Sequence, residues 1–275
     1  LLPVPRVAKQ LEGMFKVEAA GWRVNPLTLD HVAVHWKLSE ELPARPEADE
    51  GLNVHELIVG SPPGDGPEAP GHAEGYALRI HPDGLVLRAD DTDGLYWGLV
   101  TIEWLLDGGV ELPCCEITDW PAFELRGHHD DISRKQISKL EDFQRIIRWL
   151  SRYKINVYTP YMEDVLYIRS YPDIGEGRDR LTPQEVEAMH AEAERHNVMI
   201  MPTYSLMGHQ ENLLSHDKYA HLGRQVFQPM SSFDVGSPAV REFLHEVIAD
   251  VCDLFPAPYF HAGFDEAIGI DGQEF

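Results

Sequence analysis

The sequence predicts an α/β protein in two parts, a small α/β domain followed by a longer region of alternating strands and helices. Two observations support this division. In the first part, short apolar segments flank a Pro- and Gly-rich stretch without apolar periodicity, residues 61–75. From Ile117 onward, apolar strands alternate with long amphipathic helices. Such alternation is typical of parallel βαβ units.

The first part is expected to cover residues 1–112. Its predicted strands are residues 52–59, 76–80 and 85–89, and the turn Pro82-Asp83-Gly84 joins the last two. Thr92 can cap a helix that Gly108-Gly109 ends. The apolar residues of that helix recur at helical spacing: Leu95, Leu99, Ile102 and Leu106.

The second part is expected to cover residues 113–275. The predicted strands are residues 125–129, 155–160, 198–202 and 259–263. One predicted helix covers residues 139–153, and two others begin at Thr182-Pro183 and Ser237-Pro238, where a capping residue precedes a proline. Four successive β-then-α steps fit the first half of a (β/α)8 TIM barrel, whose full form has about 250 residues. An open, doubly wound sheet is the structural alternative.

Composition restricts the classes of partner. The chain has 46 acidic and 23 basic residues and a formal charge of −23, which repels nucleic acid and anionic membrane surfaces. No apolar run approaches the roughly 18 residues of a membrane span, and the first residues lack signal-peptide order. We therefore expect a soluble protein with no nucleic-acid or membrane partner, and the sequence leaves its compartment open.

Polar residues follow each predicted barrel strand. Because the carboxyl ends of parallel strands form one edge, we expect these side chains to converge there as a site. Within this set, Asp265 and Glu266 can hold one carboxyl protonated near neutral pH, as a general acid requires. The residues concerned are His128, His129, Asp130, Asp131 and Arg134, then Glu163 and Asp164, then Gly208, His209 and Gln210, then His261, Asp265 and Glu266.

The segment His261-Ala262-Gly263-Phe264-Asp265-Glu266 resembles the His-x-Gly-Gly-Asp-Glu signature of glycoside hydrolase family 20. Further segments resemble the same family in register: Arg126-Gly127, Asp131-Ile132-Ser133-Arg134, Lys154-Ile155-Asn156-Val157 with Asp164, and Gly208-His209. The first part is similar to the family's accessory domain through Pro3, Pro5, Gly13, Phe15, Gly94-Leu95-Tyr96-Trp97-Gly98 and Thr101. Four residues differ from the usual pattern and leave substrate preference open: Phe264, Met207, Tyr161 and Thr203.

The resemblance implies a retaining β-N-acetylhexosaminidase that uses no cofactor and acts on glycans with terminal N-acetylhexosamine. In that family the substrate's own acetamido oxygen attacks the anomeric carbon. By position, Glu266 is the general acid and base, and Asp265 orients the acetamido group. By the same resemblance, Arg134 binds the hydroxyls of the sugar ring. The remaining expected substrate-site residues, Asp164, His209 and His261, support the acid pair.

Three alternatives remain at this point. The cluster of His128, His129, Asp130, Asp131 and His209 could also belong to a metal-dependent barrel hydrolase, although the resemblance explains Asp131 and Arg134 without a metal. A family 84-like hydrolase would share acetamido participation with different surrounding carboxylates. A non-catalytic carbohydrate-binding protein is the alternative from another class.

Overall fold

The computed structural model describes residues 3–17, 21–29, 46–106, 109–134, 137–224 and 231–267, and these form two compact units. The first unit runs to Arg126 and includes the short segments Ser151–Lys154 and Arg195–Asn197. The second unit consists of Gly127–Leu150, Ile155–Glu194 and the residues from Val198 on. Within these described ranges, no helix is both long and apolar enough to span a membrane.

A seven-stranded sheet forms the first unit, with the order β1-β7-β5-β6-β4-β2-β3. Its neighbours pair antiparallel, apart from β2 and β3, which run parallel. The strands are β1 (Val7–Lys16), β2 (Trp22–Val24), β3 (Pro46–Ala48), β4 (Glu56–Gly60), β5 (Tyr76–His81), β6 (Gly84–Ala89) and β7 (Glu111–Asp119).

The predicted hairpin and the helix after it are confirmed, and Gly108, which was expected to end that helix, lies outside the described residues. Strands β5 and β6 pair from Tyr76 with Ala89 to His81 with Gly84. Helix α1 (Thr92–Leu106) buries most of its side chains in the core of this unit. A Cβ on Gly94 would lie 2.3 Å from the carbonyl oxygen of Gly75, so only glycine lets the helix approach so closely. The motif around Gly94 is therefore a packing feature.

Strands β1 and β7 were not expected from the sequence. Strand β7 lies between β1 and β5, and its Pro113 pairs with Met14 beside a register shift in β1. Proline lacks the amide hydrogen of a regular ladder, and an irregularity of this kind accommodates it. The expected division after residue 112 falls inside β7, and the paired strand continues to Asp119. We therefore propose that the first domain ends after β7.

The second unit contains a parallel sheet centred on β9 (Val157–Met162), every residue of which is buried. Strand β8 (Gly127–Asp131) pairs parallel with β9. Two short strands, β10 (Met199–Ile200) and β11 (Thr203–Tyr204), also pair parallel with β9. The predicted fourth strand is reduced to a single parallel bridge between Thr203 and His261.

Helices alternate with these strands, as the first half of a (β/α)8 barrel requires. They are α2 (Leu140–Arg152), α3 (Pro183–Arg195), the short α4 (Glu211–Leu214), the 3-10 turn Ala220–Leu222 and α5 (Pro238–Leu254). The capping box before α3 is confirmed, because the Glu185 amide donates to Thr182 Oγ1 (3.3 Å) and the Thr182 amide donates to Glu185 Oε2 (2.9 Å). Ser237 precedes α5 but makes no side-chain capping bond.

Candidate active site

The residues that follow the parallel strands gather at one edge of the sheet. Asp131 ends β8, and Glu163 and Asp164 come directly after β9. The loop with His209 follows β11, and Asp265 and Glu266 follow the bridge at His261. Because the strands are parallel, these positions share the carboxyl edge. The structure therefore has the arrangement in which several loops can build one site.

One histidine lies against both members of the acid pair. His209 Nε2 is 3.4 Å from Asp265 Oδ2 and 3.4 Å from Glu266 Oε2. The two carboxylates are exposed, whereas the His209 side chain is largely buried. Both distances are within ion-pair range for a protonated imidazole, and among the described residues Nε2 has no hydrogen-bond partner. The imidazole can thus stabilise negative charge on either carboxylate.

Side-chain hydrogen bonds and a close backbone contact hold the loop of this histidine in place. Ser205 Oγ donates to the Gly208 carbonyl at 2.8 Å, and Gln210 Nε2 donates to the carbonyls of Ser205 (2.8 Å) and Gly208 (3.0 Å). A Cβ on Gly208 would lie 2.7 Å from the carbonyl oxygen of Asp265. Backbone therefore meets backbone where the loop contacts the acid pair. His209 and Glu266 both have left-handed backbone, with φ of 58° and 49°.

Arg134 is oriented by two carboxylates. Its Nε donates to Asp131 Oδ2 at 2.9 Å, and its Nη1 donates to Glu163 Oε1 at 3.0 Å. The guanidinium carbon lies 5.7 Å from the centre of the Tyr161 ring. The Arg134 side chain remains 55% exposed, so its other donors can reach a ligand.

Glu163 is the buried carboxylate of this edge. Its pKa is raised to about 7, mainly by burial and to a smaller extent by the nearby charge of Asp164. Arg134, His209 and a hydrogen bond from the Tyr161 hydroxyl oppose that increase. Burial, together with the charges of Glu163 and Asp265, raises the pKa of Tyr161 to about 12. Tyr161 therefore remains a neutral donor near neutral pH.

Two of the expected site residues have other partners. Asp164 was expected to hydrogen-bond around the acid pair, but its carboxylate accepts two bonds of 2.5 Å from Arg178 Nη1. The His261 ring lies edge-on to the His129 ring, with centroids 5.9 Å apart. The His261 amide donates to the Pro202 carbonyl at 2.9 Å. Their roles toward a substrate stay predictions.

The histidines and aspartates that suggested a metal site make other contacts. Thr159 Oγ1 lies 3.0 Å from His129 Nδ1, and the Tyr158 hydroxyl donates to Asp130 at 2.8 Å. Asp131 accepts from Arg134. Over the described ranges, no three His, Cys, Asp or Glu side chains are grouped so that they could hold a metal ion.

Family models match both parts of the chain. Residues 1–120 match "Glycosyl hydrolase family 20, domain 2", and residues 123–271 match "Glycosyl hydrolase family 20, catalytic domain". The second match covers more than half of the chain. The chain belongs to glycosyl hydrolase family 20. The two matches meet near Trp120, at the end of β7.

Curated relatives agree with this assignment. A β-hexosaminidase of Porphyromonas gingivalis is 29% identical over 227 residues, which are 70% of this chain and 29% of that protein. A β-N-acetylhexosaminidase of Cellulomonas fimi is 25% identical over 236 residues, which are 76% of this chain and 47% of that protein. The chain thus spans less than half the length of these two relatives.

Solved structures of the family share the fold. The Streptomyces plicatus N-acetyl-β-hexosaminidase has a TM-score of 0.78 at 20% identity, with 100% of this chain and 60% of that chain covered. The Vibrio harveyi GH20 exo-β-N-acetylglucosaminidase has a TM-score of 0.77 at 20% identity, with 97% and 46% covered. These TM-scores show a shared fold, and at 20% identity they assign no residue roles.

Sequence reasoning selected Asp164 as a site residue and missed the contact made by its neighbour. Glu163 binds Arg134, whereas Asp164 binds Arg178. Both residues lie in the bend after β9, where their side chains meet different arginines and only Glu163 faces Arg134. A long-range arginine contact decided which one, and only the folded loops bring that arginine near.

Proposed function

We propose that the protein containing this chain is a retaining β-N-acetylhexosaminidase that removes terminal β-linked N-acetylglucosamine or N-acetylgalactosamine. The contact of His209 with both Asp265 and Glu266 carries the proposal. It joins two adjacent carboxylates to one proton-exchanging side chain at the carboxyl edge of the sheet. The names of the relatives, β-hexosaminidases, support the same substrate class.

In this proposal, Glu266 is the general acid and base. It protonates the leaving glycosidic oxygen and then removes a proton from the attacking water. His209 Nε2, 3.4 Å from the Glu266 carboxylate, stabilises its ionised form between the two steps. The exposed position of Glu266 lets it meet an oxygen that enters from solvent.

Asp265 has a separate role. The substrate's acetamido oxygen attacks the anomeric carbon, so the enzyme supplies no nucleophile. Asp265 accepts the acetamido N–H and balances the positive charge of the oxazolinium-like intermediate. Asp265 and Glu266 lie in a turn in which Glu266 has left-handed backbone. In this proposal the Glu266 carboxylate faces the leaving oxygen and the Asp265 carboxylate faces the 2-substituent.

Arg134 binds the sugar ring in this proposal. A planar guanidinium has donors in a fixed fork, which suits two vicinal hydroxyl oxygens. Asp164, His209 and His261 support the site around the acid pair. The proposed reaction uses no cofactor and no metal.

Two substitutions test the division of roles in the full-length protein. Glu266→Gln should abolish hydrolysis of substrates with poor leaving groups and spare activated aryl glycosides, which hardly need protonation. Asp265→Asn should impair both classes, because the acetamido group loses its orienting anion. Steady-state kinetics with 4-nitrophenyl and with alkyl N-acetyl-β-glucosaminides measures the difference.

Three outcomes would contradict the proposal. Azide that converts Asp265→Asn into an efficient producer of inverted glycosyl azide would make Asp265 a direct nucleophile. Activity that a chelator abolishes and zinc or manganese restores would identify a metal-dependent hydrolase. Glycan binding by the wild-type protein without turnover of any N-acetylhexosaminide would identify a binding protein.

A further inference from the structure

A buried serine joins the two loops that carry Arg134 and Glu163. Ser133 Oγ donates to the Tyr161 carbonyl at 3.1 Å and accepts from the Glu163 amide at 2.9 Å. The Ser133 amide donates to Asp131 Oδ1 at 3.0 Å. These bonds fix the backbone immediately before Arg134 against the backbone at Glu163. The position of Glu163 relative to Arg134 is therefore set by the fold.

From this position, the Glu163 side chain binds one end of the Arg134 guanidinium. Its Oε1 accepts from Arg134 Nη1 at 3.0 Å and from the Tyr161 hydroxyl at 3.3 Å. Asp131 holds Nε on the other side. Only 5% of the Glu163 side chain is exposed, against 55% for Arg134. The carboxylate is thus too buried to meet a sugar itself, while the arginine it holds is open.

We propose that Glu163 is a positioning residue, which fixes the Arg134 guanidinium in the orientation that binds the sugar ring. This inference rests on the proposed function, because Arg134 needs a sugar to bind. The proposal gives Glu163 and Asp164, the two acidic residues after β9, different roles. Glu163 orients the ligand-binding arginine, and Asp164 holds Arg178.

Protonation of Glu163 gives the proposal a pH signature. Burial raises its pKa to about 7, so the carboxylate is charged above that pH and neutral below it. The groups around it are Asp131 and Arg134 from the β8 end, Tyr161 and Asp164 from β9 and its loop, and His209 from the loop after β11. As pH falls through about 7, Arg134 loses one of its two charged partners, Glu163, and keeps the other, Asp131. Substrate binding should weaken in that range.

The test is Glu163→Gln in the full-length protein, with 4-nitrophenyl N-acetyl-β-glucosaminide as substrate. Glutamine keeps an acceptor oxygen and removes the charge, and charge-assisted bonds are about twice as strong as neutral ones. We expect KM at pH 8 to rise about tenfold, which corresponds to about 1.4 kcal/mol, with a smaller change in kcat. The ratio of variant to wild-type KM should approach one at pH 5.5. Glu163→Asp, which keeps the charge, should recover part of the loss.

Glu192→Gln is the matched control. Like Glu163, Glu192 is a buried carboxylate of the second unit with an arginine partner. It accepts a hydrogen bond of 2.5 Å from Arg148 Nη1. Its loss should affect stability and leave KM unchanged. A wild-type KM in Glu163→Gln at pH 8 would overturn the proposal, as would an equal rise in Glu192→Gln. A rise in Asp164→Asn without one in Glu163→Gln would also overturn it.

Failure of the proposed function would be visible separately. If the wild-type protein does not hydrolyse the substrate, the same variants are compared by calorimetry with N-acetylglucosamine. A tenfold weaker Kd in Glu163→Gln would still support the positioning role. A wild-type protein that neither hydrolyses nor binds these compounds would overturn both proposals.

Discussion

Gly208→Ala tests whether the position of Asp265 and Glu266 controls the rate, because it displaces their backbone and leaves both carboxylates in the sequence. The added Cβ would lie 2.7 Å from the Asp265 carbonyl oxygen and 3.2 Å from the Glu266 carbonyl oxygen. Ordinary contact begins at 3.4 Å, so the backbone of the acid pair or of the His209 loop must move by about 0.7 Å. Misplacing reacting groups by about 1 Å can cost about 100-fold in rate. We therefore expect kcat to fall by about 10- to 100-fold.

Under the proposed function, the assay compares kcat and the thermal unfolding midpoint of the full-length protein and its variants. Gly236→Ala is the control, because its Cβ would have no neighbour closer than 3.6 Å and its backbone is not left-handed. It should leave kcat unchanged. If Gly208→Ala keeps at least half of the wild-type kcat, the packing of this loop does not position Asp265 and Glu266. An equal loss in Gly236→Ala would show a general sensitivity of the loop region.

Two further substitutions test packing and burial. Gly94→Ala places a Cβ 2.3 Å from the Gly75 carbonyl oxygen, and overpacking of this kind should lower the free energy of unfolding by about 1–3 kcal/mol. Gly21→Ala is the control, because no described atom lies within 4 Å of its added Cβ. Arg178→Ala should lower it by about 3 kcal/mol in denaturant titrations, because the buried Asp164 carboxylate loses its partner. Arg178→Ala combined with Asp164→Asn should recover much of that loss, and no recovery would mean that Arg178 acts through other contacts.

The parts of the fold that the sequence predicted are those with local signals. The turn Pro82-Asp83-Gly84 and the capping box of Thr182 and Glu185 depend on residues a few positions apart. Strand β7 has an internal proline and adjacent cysteines, which give no regular alternation. Its pairing with β1 and β5 supplies the stability. That information lies about a hundred residues away for β1 and is not readable locally.

In the site, too, some features were predictable from the sequence and others depend on tertiary contacts. The convergence of Arg134, His209, Asp265 and Glu266 follows from the rule that parallel strands share a carboxyl edge, and the resemblance to family 20 named the acid pair. The rule does not say which of two adjacent carboxylates meets which arginine. Arg178 comes from the long loop between β9 and α3, and its contact with Asp164 is a tertiary event. Periodicity contains no signal for such a contact.

The left-handed backbone of His209 and Glu266 creates a trade-off between folding stability and the proposed catalytic activity. Each side chain costs the folded state about 1 kcal/mol in this conformation, a cost that glycine would not incur. Glycine at either position would therefore favour folding while it removes the proposed general acid, Glu266, or the histidine that contacts it. Repeated selection for thermal stability alone would favour variants with glycine at these positions, which fold well and lack the proposed activity. Under the proposed function, stabilised variants of the full-length protein have to be screened by turnover at every round.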